Sequence, residues 1–178
     1  TFDDGYRNNL EIALPILKKH SVPATVFVAS AFSNGSNMWN DRVLDLFAQC
    51  NRDVMDLSAA GKGEVEVSDI ATKYKIVKET LIALKYYPIE ERLQRVDKLI
   101  NDNGNFDEQR RMMSPSEVKT LSDAGIEIGA HTHNHPILKG LDEASLHQEV
   151  GQNRKLLEIW EYVIMEQLIF KVFKTLRI

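Results

Sequence analysis

Ala24-Thr25-Val26-Phe27-Val28-Ala29 is a short, apolar, β-rich run of the kind that forms a strand buried on both faces. A helical pattern precedes it. Leu10, Ile12, Ala13, Ile16 and Leu17 recur at helical spacing, and Lys18, Lys19 and His20 suit a helix C-terminus. Asn8 and Asn9 are candidate N-caps for that helix. Pro15, inside the pattern, predicts a kink or a later start. Further back, Thr1-Phe2-Asp3-Asp4-Gly5 reads as the end of a strand running into an acidic turn, where Gly5 permits the tight backbone. Strand, helix and strand in about thirty residues make a βα unit of a parallel sheet, so the expected class is α/β.

A similar pattern returns later in the chain. Ser114-Pro115-Ser116-Glu117 carries strong helix-opening chemistry, and that helix ends at Gly125. Residues 126–130 form a second short buried strand, and Asp142-Glu143 opens a helix running to about Trp160. The block between these two parts is of a different kind. A polar loop covers residues 33–40, a helix 41–50, and mixed sequence 51–70 with a short strand at 64–67. Pro88 separates helical stretches at 70–84 and 89–100, and a loop follows at 101–105. Residues 36–113 hold 14 acids and 12 bases, so the block is charge-balanced, and it has no metal-type ligand cluster. It reads as a helical insertion between two βα units of one domain spanning residues 1–178. Beyond Tyr162, Met165, Leu168, Ile169, Val172, Phe173 and Leu176 form an apolar stripe at helical spacing.

Composition narrows the function. A chain of 178 residues with 43% apolar and 27% charged residues is of ordinary globular type, with one domain expected. A complete eight-stranded α/β barrel takes about 250 residues, so a full one does not fit. The net charge of −4 argues against a nucleic-acid partner, which needs a basic face. No run of 18 apolar residues exists to span a membrane, and the residues given read without a signal-peptide pattern. Cys50 is the single cysteine, which excludes an intrachain disulfide and reads as a small core residue. The abrupt start at Thr1 reads as a fragment, so the compartment does not follow from these residues.

Two clusters carry the chemistry. Asp3-Asp4 and His131-Thr132-His133-Asn134-His135 each follow a strand, and functional loops in parallel α/β folds lie at the carboxyl ends of strands. Both clusters therefore belong on one rim. One carboxylate with two imidazoles is a known ligand set for a catalytic divalent metal with an open position. A second carboxylate can then serve as base. Taken singly, Asp-Asp-Gly is a turn and a histidine cluster is a solvated loop. His20 reads as a helix C-terminal residue, His147 as a helix-surface residue, and Trp39 and Trp160 as packing.

Thr1-Phe2-Asp3-Asp4-Gly5-Tyr6 resembles the first signature of the polysaccharide deacetylases, carbohydrate esterase family 4. His131-Thr132-His133-Asn134-His135 resembles the second, His-(Ser/Thr)-x-x-His. The landmarks between them also resemble the family: a helix, then Val22-Pro23-Ala24-Thr25-Val26-Phe27-Val28, and later Ala124-Gly125-Ile126-Glu127-Ile128-Gly129-Ala130 before the histidines. The resemblance covers roughly residues 1–32 and 114–160. Trp39-Asn40-Asp41-Arg42, opening the insertion, is similar to family members associated with bacterial cell-surface polysaccharides. The resemblance implies Asp3 as general base. It implies Asp4, His131 and His135 as ligands of a divalent metal, most often Zn2+, with Thr132 steadying the loop. His133 and Asn134 fall at variable positions and receive no role. The implied reaction removes acetyl groups from N-acetylated or O-acetylated oligo- or polysaccharide.

The family's third signature, an arginine with Pro-Tyr or Pro-Phe and Gly, has no counterpart after residue 151. Arg154 and Arg177 lack that context, and the tail from Glu161 reads as unrelated. Three or four strands are legible where the family's distorted barrel has about seven. The expected fold is thus a partial or distorted (β/α) barrel of the deacetylase type, incomplete on the C-terminal side. A second reading follows: a truncated, inactive domain that binds metal, and sugar or a partner chain, without turnover. The tail stripe and an uncovered strand edge favour a homo-oligomer.

Overall fold

The computed structural model describes residues 1–104 and 106–160. In chain order its elements are α1 (Leu14–His20), β1 (Thr25–Val28), α2 (Trp39–Gln49), β2 (Val54–Asp56), β3 (Glu64–Glu66), α3 (Ile70–Lys85), α4 (Ile89–Asn103), α5 (Pro115–Asp123), β4 (Glu127–Ala130) and α6 (Glu143–Ile159). Two compact units result. One combines Thr1–Ser36 with the chain from Arg110, and the other is Asn37–Gln109. The class is mixed α/β, with two small sheets and no closed barrel among the described residues. No helix among them is long and apolar enough to cross a membrane.

In the first unit, β1 and β4 pair in parallel, from Thr25 opposite Glu127 to Val28 opposite Ala130. The strand expected at the start of the chain contracts to one parallel bridge, Phe2 with Val26. Phe2 donates its N–H to the Thr25 carbonyl at 3.0 Å and accepts from Phe27 at 2.9 Å, before Asp4 and Gly5 turn the backbone away. Val26, Val28 and Ile128 are buried with Leu14, Val118, Leu121 and Leu157 from α1, α5 and α6. Each such side chain gains about 1.5–3 kcal/mol on leaving water. Gly129 faces Phe27 across the register, and a Cβ there would lie 2.3 Å from two ring carbons.

Asn8 stands at the predicted cap position, but its side chain makes no capping bond. Residues Asn9–Ala13 form a widened π turn, closed by the Leu14 N–H on the Asn9 carbonyl, before α1 begins. Ala13 and Leu14 keep right-handed helical dihedrals, so the helical backbone runs on from the π turn into α1 and no later start is seen. Pro15 stands directly after the widened turn, the kind of ladder irregularity that accommodates a residue without an N–H.

The start of α5 is secured by a capping box. Glu117 Oε2 accepts the Ser114 N–H at 2.7 Å, and Ser114 Oγ accepts the Glu117 N–H at 3.3 Å. Arg110 grips the same carboxylate with both guanidinium nitrogens, at 2.5 and 2.8 Å. That grip, opposed by partial burial and helped by Ser114, lowers the Glu117 carboxyl from its ordinary 4.5 to about 2.

The second unit has its own core. Leu46, Leu57, Leu84, Val96 and Leu99 are sealed between α2, α3 and α4 and the turn at Ser58–Ala60. The expected strand at 64–67 is present as β3, paired antiparallel with β2. Three residues of β2 are too few for alternation to show in the sequence. The loop expected at 101–105 is instead helical as far as Asn103. The Asn103 amide donates to the Leu99 and Asp56 carbonyls and accepts the Asp56 N–H, so tertiary bonds hold the last turn. Trp39 packs with its ring 4.9 Å from the Arg92 guanidinium, and Cys50 is buried, as both were read. The apolar stripe expected between Tyr162 and Leu176 lies outside the described residues.

Two predictions follow from the packing and the cap. Gly129→Ala forces the Phe27 ring aside and lowers stability by about 1–3 kcal/mol in urea unfolding, as overpacking does; an unchanged midpoint refutes the close approach. Glu117→Gln keeps the box geometry and loses the charge. A carboxyl held at about 2 stabilises fully above pH 4.5 and loses that contribution as pH falls toward 2. The variant is therefore less stable than wild type at pH 7, by up to about 1 kcal/mol. Melting curves of the two proteins converge between pH 4.5 and 2; a gap that stays constant with pH refutes the assignment.

Candidate metal centre

The parallel register fixes where the two clusters leave the sheet. β1 and β4 end opposite each other at Val28 and Ala130. His131, the next residue after β4, donates its N–H to the Val28 carbonyl at 3.1 Å. The Ala29 N–H donates to the Asp4 carbonyl at 3.2 Å, which ties the acidic turn to the end of β1. Gly5 has φ +91°, and a Cβ on it would approach Val28 Cγ1 to 3.1 Å, so the turn needs glycine twice over. The Gly5 carbonyl accepts the Met113 N–H at 3.0 Å, bracing the turn from its other side.

Asp4, His131 and His135 converge. Asp4 Oδ1 lies 3.2 Å from His131 Nε2 and 3.3 Å from His135 Nε2. One ligand atom from each of the three residues falls within 4.8 Å of the other two. The two imidazole rings are tilted by 41° with centroids 4.9 Å apart. The hydrogen bond from His131 lowers the Asp4 carboxyl below its ordinary value. Burial opposes this, and the charges of His135 and His131 add to it. Asp4 is therefore held as an anion, the form that ligates.

The donor set and spacing fit a divalent ion. Ligands about 2.0–2.1 Å from a tetrahedral ion stand about 3.3–3.4 Å apart, close to the two measured separations. Three protein ligands leave a fourth position open, as catalytic sites require. One carboxylate oxygen and two imidazoles suit zinc and several other transition metals alike.

Asp3 is exposed, and no side chain among the described residues holds its carboxylate. Its carbonyl accepts the Gly5 N–H at 3.0 Å. Thr132 enters the loop through its backbone: its carbonyl accepts from Asn153 at 2.5 Å, while its buried Oγ1 has no partner. Asp4, Thr132 and His135 have φ of 73°, 64° and 52°, and Ser21 is the only other non-glycine residue with positive φ among those described. Each such outlier costs on the order of 1–3 kcal/mol, and here they gather at one place.

Five further residues, unassigned by sequence reasoning, build the surroundings: Ser30, His133, Asn134, Glu149 and Asn153. Glu149 Oε2 accepts the N–H groups of His133 and Asn134 at 3.0 and 2.7 Å, and its Oε1 accepts from Asn134 Nδ2 at 2.7 Å. Asn153 Nδ2 contacts the Val28 carbonyl, Ser30 Oγ and the Thr132 carbonyl. Two carbonyls facing one nitrogen fix the orientation of that amide. Ser30 Oγ in turn lies 2.9 Å from His133 Nδ1. Either atom can donate in that contact, according to which ring nitrogen of His133 carries the proton. Burial lowers the His133 pKa, against the raising charge of Glu149. A sequence signal for the helix residues existed: Glu149 and Asn153 are polar positions in the same i, i+4 row as the buried Leu157.

The same arrangement can be set beside known proteins. No curated protein and no solved structure matches the chain. A family model described as polysaccharide deacetylase matches residues 1–163. That range takes in Asp3-Asp4, the helical block and the histidine loop, well beyond the segments on which the resemblance rested. The chain belongs to the polysaccharide deacetylase family.

Proposed function

We propose that the chain is a divalent-metal hydrolase removing acetyl groups from N-acetylated or O-acetylated carbohydrate. The family is one of hydrolases acting on acetylated polysaccharide, which supports the substrate class. The observation that carries the metal part is the convergence of two imidazole Nε2 atoms on one Asp4 oxygen, at 3.2 and 3.3 Å. Asp4, His131 and His135 would hold the ion, with zinc the first choice. When bound, it supplies Lewis acidity to the acetyl carbonyl and to the attacking water. Asp3 takes the proton of that water as general base. Asp4 stays ionised to ligate, so the two neighbouring carboxylates have separate tasks. Thr132 supports the loop between the histidines. The β1–β4 pair with its Phe2 bridge is read as part of a distorted barrel of the deacetylase type.

One observation favours the second reading, a domain that holds metal and sugar without turnover. Asp3 is exposed, and nothing among the described residues orients it. Elemental analysis together with acetate release from an acetylated chito-oligosaccharide separates the two. An active deacetylase carries about one divalent ion per chain and releases acetate. Asp3→Ala retains the ion and loses 10²- to 10⁴-fold in rate, the range a general base supplies. His131→Ala loses the ion. Full activity in Asp3→Ala overturns the assigned base, and a bound ion without acetate release establishes the second reading.

A further inference from the structure

Every residue between the two histidine ligands is bonded to α6. The Thr132 carbonyl is held by Asn153, the His133 N–H by Glu149, and the Asn134 N–H and side-chain amide by Glu149 again. Asn153 also grips the Val28 carbonyl, which accepts the His131 N–H as well. Helix, strand end and ligand loop thus share one set of bonds. The loop they hold contains two of the strained positions, Thr132 and His135. Without external support such φ values relax, and the two imidazoles lose their common focus.

Burial makes the arrangement informative. Asn153 is fully buried and Glu149 is 7% exposed. Packing alone would place an apolar residue there, as it does one turn on at Leu157. A buried carboxylate is expensive unless its oxygens are satisfied, and here its hydrogen bonds go to the ligand loop. We infer that Glu149 and Asn153 are positioning residues that set the His131–His135 loop in its ligating shape before the metal arrives. They thereby determine metal affinity without touching the ion. This rests on the metal site proposed above and adds to it two residues from another element.

The test is zinc affinity, measured by competition with a chromogenic chelator on the metal-free 178-residue chain. Glu149→Ala and Asn153→Ala each weaken zinc binding 10- to 100-fold, the range typical of residues that orient ligands from outside the coordination shell. Glu149→Gln, which can still accept the two backbone N–H groups, stays within about threefold of wild type. Lys155→Ala, exposed on the same helix, binds as wild type does. Circular dichroism checks that each variant is folded. In a chain that stays folded, a lowered melting temperature leaves the dissociation constant alone, so weakened affinity reports displaced ligands. If Glu149→Ala does not fold, Glu149→Asp, which retracts the carboxylate by one methylene, takes its place and is expected to bind more weakly. Affinity within twofold of wild type in folded Glu149→Ala, or in its Asp substitute, overturns the inference. Absence of zinc binding by the wild-type chain overturns the metal site itself, and the inference with it.

Discussion

The site depends on a register four residues long. Thr25 to Val28 run parallel to Glu127 to Ala130 and stop together, so the chain leaves both strands at the same level. A shift by one residue would exchange the two faces of β4 and turn Ile128 out of the core. It would also move His131 away from the Val28 carbonyl that anchors it. Gly129 secures the pairing sterically, because the Phe27 ring occupies the space a side chain would need. The meeting of Asp4 with two histidines more than a hundred positions later is a consequence of this alignment.

Around that alignment the molecule is stiff in a particular way. The acidic turn is fastened to β1 through Ala29 and to the strand-like segment before α5 through Met113. The histidine loop is fastened to α6. Three non-glycine residues at positive φ are maintained between these fastenings. Two of them are held through their carbonyls, Asp4 by the Ala29 N–H and Thr132 by the Asn153 amide, and the side chains of Asp4 and His135 meet as a result.

Much of this was legible. The apolar run at 24–29, the capping chemistry of Ser114 to Glu117 and the placing of both clusters after strands were enough to bring the two clusters to one rim, and the resemblance singled out Asp4, His131 and His135 within them. The rest depended on interactions that leave little trace in a linear pattern. Asn103 prolongs α4 because its amide finds Asp56, a partner 47 positions away. The β2 strand is three residues long and exists through its pairing with β3. Glu149 and Asn153 look like surface positions by composition, and their inward direction shows only when their spacing to Leu157 is read as one face. Thr132 was expected to steady the loop; the structure gives it a carbonyl that accepts from Asn153, a bond that no side-chain argument could single out.

The chain departs into its second unit at Asn37 and finishes it at Gln109, and these two residues are joined by a hydrogen bond of 2.9 Å from the asparagine amide to the glutamine carbonyl. The unit thus ends where it begins. The segment is a folded unit with its own core, so tolerance of altered length belongs to its exposed turns, where doubling a flexible loop costs only about 0.6 kcal/mol of closure entropy. Insertions at those turns leave the Asn37–Gln109 closure as it is. The bonds that align Asp4 with His131 and His135 lie outside that segment. A longer turn on that unit would therefore add surface to the chain while the bonds that bring Asp4 to the histidine loop stay in place.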